Sequence, residues 1–272
     1  MSVIAVHDRR PAPADRARGA ASELVVAWQH PVARQIYPVG MLRFDGVEYT
    51  FHYIRAVQDA SGFRPLLGFG DLTHTYRSDR LFPLFSQRAL DPRRPDYVRH
   101  VASLGLDPAD ATPWEQITRS SGRRNGDTLQ LFPVPRSVGG RITCSFLVHG
   151  IRHMPENRPV IGGSPSAISA ERLESVLCEL QPGSPLRLAP EPTNTRNPEA
   201  ILVLASGQPI GYVPDLLVRD VHRLAAVERI DVSVIRVNGP DAPAHLRVLA
   251  QLDSVASDGF EFFRGERWEP LD

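Results

Sequence analysis

The stretch that decides the fold of this chain is EPTNTRNPEAILVLASGQPIGYVPDLL, from Glu191 to Leu217. It opens with residues 191–198, which are rich in Asn, Thr and Pro and therefore favour turns over regular structure. The apolar run 200–205 predicts a short buried strand, and Ser206-Gly207 predicts a turn into a partner strand over 209–213. Pro214 fits the first turn of a following helix, where its missing N–H costs nothing. We therefore predict a polar loop, a hairpin and a helix.

The residues around this stretch predict a small sheet with two helices. The segment 133–140, PVPRSVGG, marks a change of composition and predicts a junction before a new series of strands. Short strands with only two helices fit a small closed or half-closed β-barrel. The predicted strands are 142–148, 186–188, 232–237 and 245–252, besides the hairpin, and the predicted helices are 170–180 and 215–225.

Three motifs of this region resemble the HIRAN domain, and together they cover roughly residues 141–253. They are VHGIRH at 148–153, the EP-x-N…N-x-A-x-x-V pattern at 191–203, and GYVP at 211–214. The resemblance implies an OB- or SH3-like barrel whose groove holds the 3′ end of single-stranded DNA. It also implies a module that occurs alone in bacteria and attached to DNA-repair helicases. Grooves of this kind combine stacking aromatic rings with arginines on the backbone.

The resemblance assigns binding roles residue by residue. Arg152 falls where the family places an arginine that contacts phosphate or base, and His153 follows it in the same motif. Asn194 and Asn197 lie in the loop that would surround the terminal nucleotide. Tyr212 lies at a corner where its ring could stack on a base.

Two positions depart from the family pattern. Arg196 occupies a loop position that is often tyrosine, although a guanidinium plane can also stack. Asp215 occupies a helix start that is basic in DNA-binding members. An acid there repels phosphate, and it also suits the positive end of a helix dipole.

Each of these residues also has a purely structural interpretation. Asn194 and Asn197 can shape the loop through Asx-turns. Tyr212 can be a half-buried aromatic residue of a strand, and Arg152 can pair with Glu156.

The segment RSSGRRNGD carries two further candidates, Arg123 and Arg124. A Ser- and Gly-rich loop with three arginines, Arg119, Arg123 and Arg124, can hold phosphate through backbone N–H groups and guanidinium forks. The alternative is a solvated charged loop whose arginines pair with Asp127 or Glu115.

The N-terminal half is predicted to begin with a disordered arm, residues 1–22, because this stretch is dense in Arg, Asp, Pro and Ala. A hairpin is predicted over 41–54, with Asp45-Gly46 at its turn. Helical spacing predicts short helices near 96–104 and from Pro113 onward.

Roughly residues 24–135 resemble the N-terminal subdomain of HipA-type proteins. The likeness lies in Val39-Gly40, Phe51 and Tyr53, and the series Leu66…Ser78…Leu81-Phe82-Pro83…Phe85. It implies a packing or interaction piece without kinase activity, because the chain has no Gly-rich loop, no lysine and no kinase catalytic loop.

Composition excludes several classes of protein. Lys+Arg and Asp+Glu are both 31, so a globally basic nucleic-acid-binding protein is excluded and any contact must be local. The only two cysteines, Cys144 and Cys178, make no CxxC motif and no disulfide framework. His149 and His153 are spaced for a metal only on a helix, which Gly150 disfavours, so no metal or other cofactor is predicted. No secretory or membrane-spanning segment is apparent, which predicts a cytoplasmic protein.

The sequence therefore predicts an α+β fold with a HipA-like subdomain at 23–135 and a HIRAN-like OB/SH3-like barrel with two helices at 136–272. The predicted function is non-catalytic binding of single-stranded or 3′-end DNA. The alternatives are a protein-interaction module that binds its partner through the HipA-like half, and a hydrolase with a spatially assembled site. An enzyme is the less favoured interpretation because no local catalytic motif occurs.

Overall fold

The computed structural model describes residues 22–124, 127–255 and 259–272. The predicted arm therefore lies outside the described residues, except for Ser22, which begins the first strand. The N-terminal half contains one antiparallel sheet and three short helices. Its strands are β1 (Ser22–Gln29), β2 (Ile36–Phe44), β3 (Tyr49–Tyr53), β4 (Tyr76–Ser78) and β5 (Leu129–Pro133), and its helices are α1 (Pro83–Ser86), α2 (Tyr97–Ser103) and α3 (Pro113–Ser120).

The first sheet has the strand order β4-β3-β2-β1-β5, so β1 lies between β2 and β5. Successive side chains of a strand point to opposite faces, yet Leu24, Val25, Val26 and Ala27 are all fully buried. Leu24 and Val26 pack into an aromatic core that includes Phe51, whereas Val25 and Ala27 pack on the opposite side. The sheet is therefore covered on both faces around β1.

The C-terminal half contains a larger sheet with the order β12-β11-β10-β13-β14-β7-β6, and a two-stranded ribbon of β8 and β9. The two predicted helices are present. Pro214 is the N-cap residue of the second helix and lies immediately before its first turn. The strands are β6 (Arg136–Val138), β7 (Arg141–Leu147), β8 (Val160–Ile161), β9 (Ser164–Pro165), β10 (Pro185–Pro190), β11 (Ile201–Ala205), β12 (Gln208–Tyr212), β13 (Ile230–Val237) and β14 (Val248–Val255), and the helices are α4 (Ala170–Glu179) and α5 (Asp215–Ala225).

Of the predicted closed or half-closed barrel, the closed form is wrong for the described residues, because the ladder of the larger sheet runs from β12 to β6 without closing. A single antiparallel bridge, between His149 and Tyr212, joins β12 to the chain after β7. The two residues exchange both backbone hydrogen bonds, each with an N–O distance of 2.9 Å. The chain turns away at Gly150, which is left-handed (φ 72°), and the pairing stops after one residue pair.

The two halves share buried surface across the predicted boundary at residues 135 and 136. Val25, Ala27 and Phe132 belong to the same buried cluster as Leu217 and Val221 of α5. The free energy of burying these apolar side chains therefore stabilises the packing of one half on the other. The boundary itself stays a prediction.

The C-terminal segment 259–272, which contains Phe260, Phe262, Phe263 and Trp268, returns across the molecule without forming a strand, apart from one bridge between Ile54 and Pro270. Phe263 packs into the C-terminal core, while the N–H of Leu271 donates to the carbonyl of Tyr53 at 3.0 Å. Arg55 forms ion pairs with acids of this segment. The segment therefore contacts both halves as irregular chain.

Candidate nucleic-acid interface

The polar loop 191–200 is organised by Glu191, a carboxylate that is only 5% exposed. One oxygen accepts from the N–H of Val160 at 3.2 Å, and the other accepts from Nδ2 of Asn194 at 2.8 Å. The Glu191 N–H donates to the carbonyl of Ala200 at 2.8 Å, which closes the base of the loop. The EP-x-N motif contains this glutamate, but the sequence analysis did not predict that Glu191 organises the loop. The EP-x-N spacing was the signal that could have indicated this role.

The two predicted asparagines hold the loop in shape. Oδ1 of Asn194 accepts from the N–H groups of Arg196 and Asn197, at 3.0 and 3.2 Å. Oδ1 of Asn197 accepts from the Glu199 N–H at 2.9 Å. These are Asx-turns, so the structural interpretation of both residues is confirmed.

Asp215 contributes to the same arrangement. Its Oδ1 accepts from Nδ2 of Asn197 at 3.0 Å, so the first residue of α5 is tied to the loop. The acid that departs from the family pattern therefore has a structural partner in this chain.

Tyr212 is half-buried at the corner beside this loop. The side chains of Glu191, Asn157 and Asn194 surround its hydroxyl closely enough to influence its pKa. Burial raises the pKa of Tyr212 above its ordinary value, and the charge of Glu191 adds to the rise. The ring lies so close to Gly150 that a Cβ there would stand 3.2 Å from it. One side of the ring is therefore covered by the chain itself.

Arg152 and His153 follow in a single 3-10 turn, Ile151–His153, and both side chains are exposed. Nε of Arg152 donates to Nε2 of His153 at 2.9 Å. The predicted alternative of an Arg152–Glu156 pair is wrong, because Glu156 instead faces Nδ1 of His153 at 3.6 Å. Within the described part of the chain, the Arg152 guanidinium has no carboxylate partner.

The loop that carries Arg123 and Arg124 leaves both side chains exposed. The alternative pairing is confirmed for Arg119, whose Nε lies 3.6 Å from a Glu115 carboxylate oxygen, but it is wrong for Arg123 and Arg124, because Asp127 pairs with Arg88. The two arginines then diverge, because Arg124 lines a separate open depression beside α1 and α3.

The charge of Arg152 acts on Arg123, so predicted residues from the two halves interact electrostatically. Although Arg123 is exposed over much of its surface, partial burial lowers its pKa, and the charges of Arg34 and Arg152 lower it further. Sequence reasoning missed Arg34. No motif in the sequence marks it, since it lies in an exposed turn between β1 and β2.

Two histidines border the same region. Burial, followed by the charge of Arg123, lowers the pKa of His149 to about 4 and that of His245 to about 4. The His149 ring also packs against Phe132, with the ring centroids 6.2 Å apart. Both histidines are therefore neutral at pH 7.

A family comparison decides what the loop and corner belong to. A model of the HIRAN domain matches residues 146–255. Residues 146–255 are a HIRAN domain. The match confirms the predicted family for this region, and it contains Arg152, the loop 191–200 and Tyr212. Among curated proteins, none matches the chain.

One solved structure is also similar, the crystal structure of the HIRAN domain of human HLTF. It is 15% identical, with a TM-score of 0.26, and the similarity covers 43% of this chain and 79% of that one. The comparisons give no support to the HipA-like interpretation of the N-terminal half, which stays a prediction together with the interaction function attached to it.

Metal-ligating side chains do not cluster among residues 22–124, 127–255 and 259–272. No group of three or more His, Cys, Asp or Glu side chains there is placed to hold a metal ion. Cys144 is buried, and burial raises its thiol pKa to about 12, so it is not a thiolate at pH 7. Across these same residues, none of the helices has both the length and the apolar character that crossing a membrane requires.

Glu191→Gln should lower the free energy of unfolding by about 1–3 kcal/mol. The buried carboxylate accepts hydrogen bonds on both oxygens, whereas an amide places an NH2 group against one of those donors. Urea unfolding followed by circular dichroism measures the change. Glu199→Gln, at an exposed position of the same loop, is the control. Equal stabilities of the two variants would show that Glu191 does not organise the loop.

Proposed function

We propose that this chain is a non-catalytic nucleic-acid-binding protein that binds single-stranded DNA, or its 3′ end, through the HIRAN domain. HIRAN is a DNA-binding domain family, which supports nucleic-acid binding in general. The observation that carries the proposal is the exposed Arg152 guanidinium, which has no carboxylate partner among the described residues and lies two residues beyond the Gly150–Tyr212 contact.

The contacts within the loop distinguish residues available to bind nucleic acid from residues that maintain the conformation of the loop. Arg196 is exposed at the loop tip, and its backbone is held by Asn194. We propose that Arg152 and Arg196 contact phosphates, with His153 beside them, because guanidinium forks match phosphate oxygens. Asn194 and Asn197 maintain the loop, and the remaining exposed part of the Tyr212 ring is available to a base.

The test is fluorescence anisotropy with a labelled single-stranded oligonucleotide at several salt concentrations. We expect salt-dependent binding, with Arg152→Ala weakening the affinity about fivefold or more. Arg141→Ala is the matched control. Arg141 is exposed at the other end of β7, roughly 20 Å from Leu147 along the strand, and its loss should leave the affinity unchanged.

Two outcomes would contradict the proposal at different levels. Absence of binding by the wild-type protein at low salt removes nucleic-acid binding altogether. Equal affinity for linear and circular single strands of the same sequence removes only the recognition of the 3′ end, because a circular strand has no end.

A further inference from the structure

The N-terminal half places two arginines at one end of its sheet. Trp28 of β1 pairs with Leu129 of β5, and the Gln29 N–H donates to the carbonyl of Thr128 at 2.6 Å. The turn 30–35, which leaves β1, therefore meets residues 127–128, which enter β5. Arg34 lies in that turn. Arg123 follows Ser121, whose carbonyl accepts from the N–H of Leu131 in β5 at 2.8 Å, so Arg123 also lies beside this sheet.

The HIRAN domain brings a third arginine to the same place. The Phe132–His149 ring contact sets the start of the 148–153 motif against β5, and Arg152 follows three residues later. Both Arg34 and Arg152 depress the pKa of Arg123 by repulsion, as expected of neighbouring guanidinium groups. We call Arg34, Arg123 and Arg152 the arginine cluster.

The carboxylates that could neutralise this cluster are engaged with other groups. Asp127 binds Arg88, Glu115 lies beside Arg119, and Glu156 faces His153. Within the described ranges, no member of the arginine cluster has an ion pair. Three neighbouring like charges without a counter-charge repel one another, and a bound anion would relieve that repulsion.

The backbones that carry two of these arginines are held in place. Arg34 has a left-handed conformation (φ 61°), its N–H donates to the carbonyl of His30 at 2.9 Å, and its carbonyl accepts from the Gln29 side chain at 2.9 Å. Before Arg123, the carbonyl of Gly122 accepts from the Arg88 guanidinium at 2.8 Å. The charges are therefore presented from ordered turns, which lowers the entropy cost of binding.

We propose that the arginine cluster is a composite binding site for the phosphates of a nucleic-acid strand, built jointly by the N-terminal half and the HIRAN domain. The inference rests on the proposed function and extends it, because it adds Arg34 and gives the N-terminal half a direct part in binding. The three side chains are exposed and come from separate turns, so they suit successive phosphates of an extended strand.

The test compares Arg34→Ala, Arg123→Ala and the double variant with Arg80→Ala, an exposed arginine of the same half that lies after β4. Single-stranded DNA affinity of the full chain is measured by anisotropy between low and moderate salt. Each single variant should weaken binding about fivefold. The slope of log affinity against log salt should become shallower by about 0.7 for each phosphate that the variant no longer binds. Thermal melting should show that the variants remain folded.

The outcomes separate this inference from the function on which it rests. If Arg152→Ala weakens binding while Arg34→Ala and Arg123→Ala match Arg80→Ala, the composite site is wrong and DNA binding by the HIRAN domain stands. If the wild-type protein binds no DNA, the proposed function itself fails. If millimolar inorganic phosphate displaces the DNA completely, the cluster is a site for free phosphate, which also overturns the assignment.

Discussion

Gly211→Ala should lower the free energy of unfolding by about 3 kcal/mol. A Cβ at this position would stand 2.5 Å from the carbonyl oxygen of His149 and 2.5 Å from Cγ1 of Val148. The first of these is a backbone atom, and that carbonyl accepts the Tyr212 N–H in the bridge that spans the open edge of the larger sheet. The substitution therefore forces the bridge apart.

The effect is measured by urea unfolding with Gly239→Ala as the matched control. A Cβ at Gly239 would have no neighbouring atom within 4 Å, and Gly239 has no positive φ. Its substitution should therefore change the free energy of unfolding by less than about 0.5 kcal/mol. DNA affinity should fall in Gly211→Ala as well, because Arg152 and Tyr212 are held on the two sides of the bridge. If Gly211→Ala has the same free energy of unfolding as the control, the bridge accommodates the added Cβ without loss of stability and the prediction is wrong.

The protein should lose about 4 kcal/mol of stability between pH 7 and pH 5 through two histidines, at about 2 kcal/mol each. The pKa values of His149 and His245 are lowered from 6.5 to about 4 by burial and by the charge of Arg123. Between those values the unfolded chain binds more protons than the folded chain. Stability is therefore complete above pH 6.5 and falls as the pH drops toward 4. Burial lowers the pKa values of His52 and His100 too, which adds to the same trend.

The measurement is the free energy of unfolding in urea at half-unit steps from pH 7 to pH 5, a range above most carboxylate titrations. His149→Gln and His245→Gln should each remove about half of the decline, whereas His74→Gln, at an exposed position, should leave it unchanged. A free energy of unfolding that stays constant over this range would contradict the proposed protonation states.

Local signals predicted most of the individual elements. The hairpin around Asp45-Gly46 and the two helices of the C-terminal half are present, because turn residues and helical periodicity act over a few residues. The GYVP corner also forms as predicted. Whether the larger sheet closes into a barrel was not predictable in the same way, since closure depends on how far strands distant in sequence continue their pairing.

The candidate site, like the fold, was predicted from the sequence only in part. The motifs located the loop and Arg152, but they did not distinguish loop-shaping asparagines from ligand contacts, because the bonds from Asn197 to Asp215 and from Asn194 to Glu191 depend on folding. Arg34 and Arg123 could not be associated from sequence, because only the pairing of β1 with β5 brings the segments that carry them to the same end of the sheet.

By itself the sequence determined the loop, hairpin, proline corner and helix of Glu191–Leu217, since each follows from turn chemistry and apolar periodicity within a short segment. Only the tertiary structure decided that Glu191 is buried, that one bridge joins β12 to the chain after β7, and that arginines of both halves converge. Burial and charge proximity are properties of residues far apart in the chain, so they exist only once the two halves pack together.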